Sequence, residues 1–144
     1  MPYKQGDFTG TLEEVRAVLA TYGEIESVEF VKGFFDKTLP LRPSNEKYVL
    51  IFEDADLVES VRCVVKHAWP KLQDGCCYFS HEAPVLEVVK IFFDDDFWLK
   101  NLSSKAPGLV GVGLGLPLDL ARWGNSNVGG WLGSCMAGIV KRSP

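Results

Sequence analysis

The segment Lys47-Tyr48-Val49-Leu50-Ile51-Phe52 is the strongest constraint on the fold, because it is rich in strand-forming residues and apolar at both odd and even positions. A strand apolar on both faces needs cover on both sides, since each Å² of wet apolar surface forfeits about 25 cal/mol. The run ends at Glu53-Asp54-Ala55-Asp56, where Asp54 or Asp56 can cap a helix. That helix carries Leu57, Val58, Val61, Val64, Val65 and Ala68 as an apolar stripe, and Pro70 stops it after Trp69.

On the N-terminal side, Thr11-Leu12-Glu13-Glu14 has the form of a capping box. Leu12, Val15, Leu19 and Tyr22 follow at helical spacing, and Gly23 stands where a left-handed cap belongs. Ile25 to Val31 reads as a strand with Val28 and Phe30 on one face, and Lys32 to Glu46, bearing Pro40 and Pro43, as a long loop. On the C-terminal side, Cys76 to Phe79 reads as a short strand and Val85 to Phe93 as a longer one. Asp94-Asp95-Asp96 then leads into a short helix at Phe97-Trp98-Leu99. From Ala106 to Val140 the chain is glycine-rich, carries Trp123 and Trp131, and holds almost no charge, so it reads as an extension that packs on this core or on a partner.

Composition limits the function classes. The 144 residues fit one domain with an extension, and 47% hydrophobic with 24% charged residues is globular composition. Fifteen Lys and Arg against 19 Asp and Glu give a formal charge of −4, which disfavours a broad electrostatic grip on nucleic acid. No stretch approaches the roughly 20 apolar residues of a membrane span, and the opening residues lack a secretory pattern. Cys63, Cys76, Cys77 and Cys135 follow no C-x-x-C spacing and read as reduced thiols, so an intracellular location is expected.

Three segments in order, Gly10-Thr11-Leu12-Glu13-Glu14-Val15-Arg16, Tyr22-Gly23-Glu24-Ile25-Glu26-Ser27-Val28 and Tyr48-Val49-Leu50-Ile51-Phe52-Glu53-Asp54, resemble an RNA recognition motif over roughly residues 6 to 93. The resemblance implies an α+β, ferredoxin-like (RRM-like) antiparallel sheet with two helices on one face. It sets the boundaries as an RRM-like domain at 1–93 and a Gly/Trp-rich C-terminal extension at 94–144. Aligned on Phe52, the family's two base-stacking ring positions fall on Lys47 and Val49, neither of which can stack a base. Tyr48, Leu50 and Phe52 are then expected to point toward the helices. Val49 and Ile51 are left on the opposite face, joined there by Val89 and Ile91.

The expected function is a non-catalytic protein-interaction module whose sheet face is covered by protein. Val49, Ile51, Val89 and Ile91 would form that face, with Trp123 and Trp131 as anchors. The cover is the chain's own tail, with Leu109 to Leu116 in the place of a first strand, or a protein partner or second copy. The alternative is RNA binding through the basic loop residues Lys32, Lys37, Arg42 and Lys47, although a solvated loop is the commoner meaning of such charges. A second alternative is a cysteine hydrolase using Cys135 with His81 or His67; a buried structural thiol is the commoner meaning. Asp94, Asp95 and Asp96 with Glu82 offer oxygen ligands for Mg²⁺ or Ca²⁺ but lack a calcium-loop spacing, so helix capping is the expected role. Gly111-x-Gly113-x-Gly115 lacks the spacing of a phosphate cradle, and Cys76-Cys77 lacks the second pair of a zinc site. No cofactor or metal is expected.

Overall fold

The computed structural model describes residues 10–111, 114–115 and 136–142, which belong to two compact units, Met1–Lys32 and Gly33–Pro144. In the first unit the capping box forms as its residues dictate. Thr11 Oγ1 accepts from the Glu14 N–H at 3.2 Å, and Glu14 Oε2 accepts from the Thr11 N–H at 2.7 Å, which holds the Glu14 carboxyl below its ordinary range. Helix α1 (Leu12–Tyr22) follows, and Arg16 lies over the Phe30 ring at 4.9 Å. Two expectations are corrected here. Gly23 closes the helix in extended rather than left-handed backbone, its N–H bonded to Leu19 O at 2.9 Å. The segment expected as a strand from Ile25 to Val31 begins as a 3₁₀ turn at Ile25–Ser27, in which Ser27 and Val28 bond back to Glu24 and Ile25.

In the second unit the expected loop contains a short helix, α2 (Phe35–Thr38), and a 3₁₀ turn at Leu39–Leu41. Strand β1 (Tyr48–Glu53), helix α3 (Val58–Ala68) and strand β2 (Leu72–Ser80) form a strand–helix–strand unit. Helices α4 (Leu86–Ile91) and α5 (Asp95–Leu102) precede strand β3 (Ala137–Val140). The molecule is therefore α+β. Among the described residues the sheet runs β1-β2-β3, with β1 and β2 parallel and β3 antiparallel to β2. This mixed sheet replaces the expected all-antiparallel one. A helical crossover of this kind returns the chain in the same direction, and here the two parallel strands are direct neighbours.

The expected strand from Val85 to Phe93 is helical for a reason visible in its charges. Glu87 and Lys90 interrupt any two-residue alternation, yet at helical spacing they share the solvent side and form an ion pair at 2.7 Å. Val88, Val89, Ile91 and Phe92 then turn inward together.

The core is aromatic. The Trp69 and Trp98 rings meet edge to face at 5.0 Å, and Tyr78 packs against Phe92 at 5.4 Å. Burying Trp98 leaves no orphan donor, because its indole N–H reaches Ile91 O at 2.7 Å. Residues beyond 94 supply Trp98, Leu109 and Ala137 to the same cluster that holds Val61 and Val65. At the far end of β3, Lys141 Nζ donates to Trp69 O at 3.0 Å and Leu72 O at 2.6 Å while lying over the Trp69 ring. These carbonyls stand where α3 runs out and β2 begins, Trp69 O also accepting from the Leu72 N–H, and the ammonium ties β3 to that junction. Lys141→Met keeps the stem and removes the donors, so we expect a loss of roughly 1–3 kcal/mol of stability, read from urea denaturation. An unchanged midpoint would show that Lys141 pins nothing.

Candidate interaction site on the open sheet face

Register decides which side chains face out. Ile51 lies beside Tyr78 and Glu53 beside Ser80, all four buried on the helix side of the sheet. The intervening positions place Leu50 beside Cys77 and Val140, and Phe52 beside Phe79 and Gly138. On that other side Phe52 is 57% exposed, Leu50 53%, Val140 43% and Phe79 36%. Gly138 permits this arrangement, because a Cβ there would sit 2.6 Å from Phe79 Cδ1. A neighbouring groove of about 620 Å³ runs past Pro107 and Val110 to Arg142, whose guanidinium makes no ion pair among the described residues.

The parity assumed in the sequence is therefore reversed. Leu50 and Phe52 face solvent and Ile51 faces the core. The expected parity rests on aligning the strand at Phe52 with the resembled motif; in the structure Tyr48 packs against the core, but past a register irregularity between Tyr48 and Leu50 it is Ile51 and Glu53 that turn inward. Val49 is 69% exposed, whereas Val89 and Ile91 are buried on α4 and belong to no sheet. Trp123 and Trp131 lie outside the described residues, as does Cys135. The expected tail strand is described only in part, as a single bridge from Val110 to Gly138 beside β3. Phe79 was hidden in the sequence by the assumption that the strand ended there; the alternation Tyr78, Phe79, Ser80 carries the signal once β2 is extended.

At the C-terminal ends of β1 and β2 lies a buried acid pair. Ser80 Oγ is 2.8 Å from Glu53 Oε2 and 3.0 Å from Glu82 Oε2, and it accepts from the Glu82 N–H at 3.2 Å. A hydroxyl has one proton to donate, so the second contact is satisfied when a carboxyl carries a proton. Burial, reinforced by the neighbouring Glu82 charge against the hydrogen bond from Ser80, pushes the Glu53 carboxyl up to about 7. The remaining oxygens hold backbone: Glu53 Oε1 accepts from the Ala55 N–H at 2.9 Å and Glu82 Oε1 from the Asp56 N–H at 3.0 Å. Glu53 and Glu82 are only 3% and 4% exposed, and through these bonds the group joins the two loops that follow β1 and β2. Exposed Asp54 and Asp56 form its rim, with carboxylate oxygens within 4.8 Å of one another and of Glu82. His81 Nδ1 sits 3.3 Å from Asp54 Oδ1.

The other candidates are tied into the fold. Asp94 caps α5 through the Phe97 N–H at 3.0 Å, and Asp95 accepts from the Ala106 N–H at 2.8 Å. Lys37 pairs with Asp36 at 3.0 Å. Arg42 pairs with Glu46, whose carboxyl is held near 2 by that guanidinium and by the Tyr48 hydroxyl at 2.6 Å. Lys32 belongs to the other unit, and of these four cations Lys47 alone is exposed in the second unit without an ion pair among the described residues. His67 is shifted toward its neutral form by burial and by Lys66 and Lys71, and burial pushes the Cys63 thiol up.

No protein-family model matches the chain, and no curated protein matches it in sequence. The site is read from its geometry alone.

The acid pair makes stability depend on pH in a definite direction. Glu53 titrates near 4.5 when unfolded and near 7 when folded, so folding favours its protonated form. Its contribution is full below 4.5 and is lost as pH rises through 7. Glu53→Gln should flatten that part of the unfolding free energy measured against pH. Equal slopes for the two proteins would contradict the assignment.

Proposed function

We propose that the chain is a non-catalytic protein-interaction module that receives a partner protein on its open sheet face. The observation that carries this reading is the side-by-side placement of Phe52 and Phe79, both exposed, on a sheet whose reverse side is given over to the core. Leu50 and Val140 extend the same apolar surface, and covering it gains about 25 cal/mol for each Å² removed from water. Arg142 at the rim suits a partner carboxylate, which would fix orientation more than strength. The free thiols of Cys63, Cys76 and Cys77 fit an intracellular setting.

The RRM-like, ferredoxin-like resemblance enters this reading through the strand–helix–strand unit from Tyr48 to Ser80, with residues 94–144 as an extension that adds β3 beyond β2. Two adjacent rings on a sheet also resemble a base-stacking platform. Three features favour protein instead: the net charge of −4, the exposed acids Asp54 and Asp56 just beyond Phe52, and the pairing of Arg42 and Lys37 with acids of their own loop.

The test is a photoreactive benzoylphenylalanine in place of Phe79, with Glu59 on the exposed side of α3 as the control position. We expect a protease-sensitive adduct in cells from position 79 and none from position 59, and Val140→Asp should cut its yield about tenfold or more. A nuclease-sensitive adduct, or none at position 79, would overturn the reading.

A further inference from the structure

Where the loop from Leu39 to Lys47 meets the end of α3, a groove of about 310 Å³ is lined by Arg42, Lys47 and Lys71, with the His67 imidazole and the Ser44 hydroxyl. Among the described residues no carboxylate lines it. In a chain with more acids than bases, that lining is a local reversal of sign. Leu39, Pro40 and Pro70 form the apolar walls, and the groove shares no residue with the open sheet face.

Part of the charge fastens the loop. Lys71 Nζ donates to Arg42 O at 3.1 Å and to Pro43 O, which ties the loop to the turn before β2. Arg42 pairs with Glu46, and Glu46 accepts from the Tyr48 hydroxyl at 2.6 Å. The loop so held presents what is left over: Lys47, Ser44 and His67 make no hydrogen bond or ion pair among the described residues. Three cations against the one carboxylate of Glu46 leave two positive charges around the groove. Burial, and then the charges of Lys66 and Lys71, hold His67 toward its neutral form, in which one ring N–H remains to donate.

We propose that this groove binds a small phosphate monoester, its phosphoryl oxygens held by Lys47, Ser44 and His67 and its organic part resting on Leu39, Pro40 and Pro70. Charge and size set the class. A phosphate monoester carries close to two negative charges at neutral pH, which matches the two left uncompensated, whereas a carboxylate would neutralise one. Sites for small ligands begin at about 300 Å³, so the groove has room for one such molecule and not for a run of phosphates. This site is separate from the face interaction proposed above and does not rest on it.

The test is titration of the full chain with phenyl phosphate, followed through the NMR signals of the His67 imidazole. We expect saturable binding that weakens about tenfold or more in Lys47→Glu and is retained in Lys47→Arg. Lys47 is exposed, so neither change touches the core. The bound dianion should also raise the titration midpoint of His67 by about one pH unit. No saturation, an indifferent Lys47→Glu variant, an unmoved His67, or benzoate binding as tightly as phenyl phosphate would overturn the proposal. So would a phosphoserine peptide that binds more tightly than phenyl phosphate, because the groove would then serve a phosphorylated partner chain.

Discussion

The direct parallel pairing of β1 with β2 is the constraint on which the rest of the molecule depends. Once Ile51 aligns with Tyr78 and Glu53 with Ser80, one side of the sheet is committed to α3 and to the Trp69, Phe92 and Trp98 cluster. The other side receives Leu50, Phe52, Phe79 and Val140. A slip of one residue in this register would exchange the two sets, burying Phe52 and exposing Ile51. The buried acid group works against such a slip, because the Glu53 carboxyl meets the Ser80 hydroxyl in the observed alignment.

Polar and apolar features of the sheet thus divide the work. Glu53, Ser80 and Glu82 are costly to bury and so specify one arrangement of the loops that follow the two parallel strands. The exposed rings are costly to leave wet and so invite a partner. Lys141 serves the first purpose from the opposite end of the sheet, gathering the carbonyls at the α3–β2 junction and holding β3 against β2. Gly138 serves the second, since its missing side chain is where the Phe79 ring lies.

Local signals were legible in the sequence and long-range ones were not. The Thr11 capping box, the Tyr48–Phe52 strand, the α3 stripe from Val58 to Ala68 and the Asp94 cap each depend on neighbours within a few residues and form, whereas Leu57 stands exposed at the N-cap of α3 in place of the expected Asp54 or Asp56. The segment from Val85 to Phe93 was misread because apolar residues on both sides fit a covered strand as well as a helix; the Glu87–Lys90 spacing decides for the helix. Ile25 to Val31 suits a strand by residue type, but its first residues close a 3₁₀ turn through Ser27 and Val28, a local choice that strand propensity does not reveal. The candidate face failed for a third reason. Its members follow from aligning the strand at Phe52 with the resembled motif, and the pairing with β2 puts Phe52 itself on the opposite face.

The most direct test of this account is relaxation of side-chain NMR signals by a soluble paramagnetic agent in the isolated protein. Strong broadening of the Phe52 and Phe79 rings, with the Ile51 methyls and the Tyr78 ring protected, is the result expected from the register. Protection of both phenylalanines alongside a broadened Ile51 would mean that the sheet faces the other way, and the interaction surface argued from it would not exist.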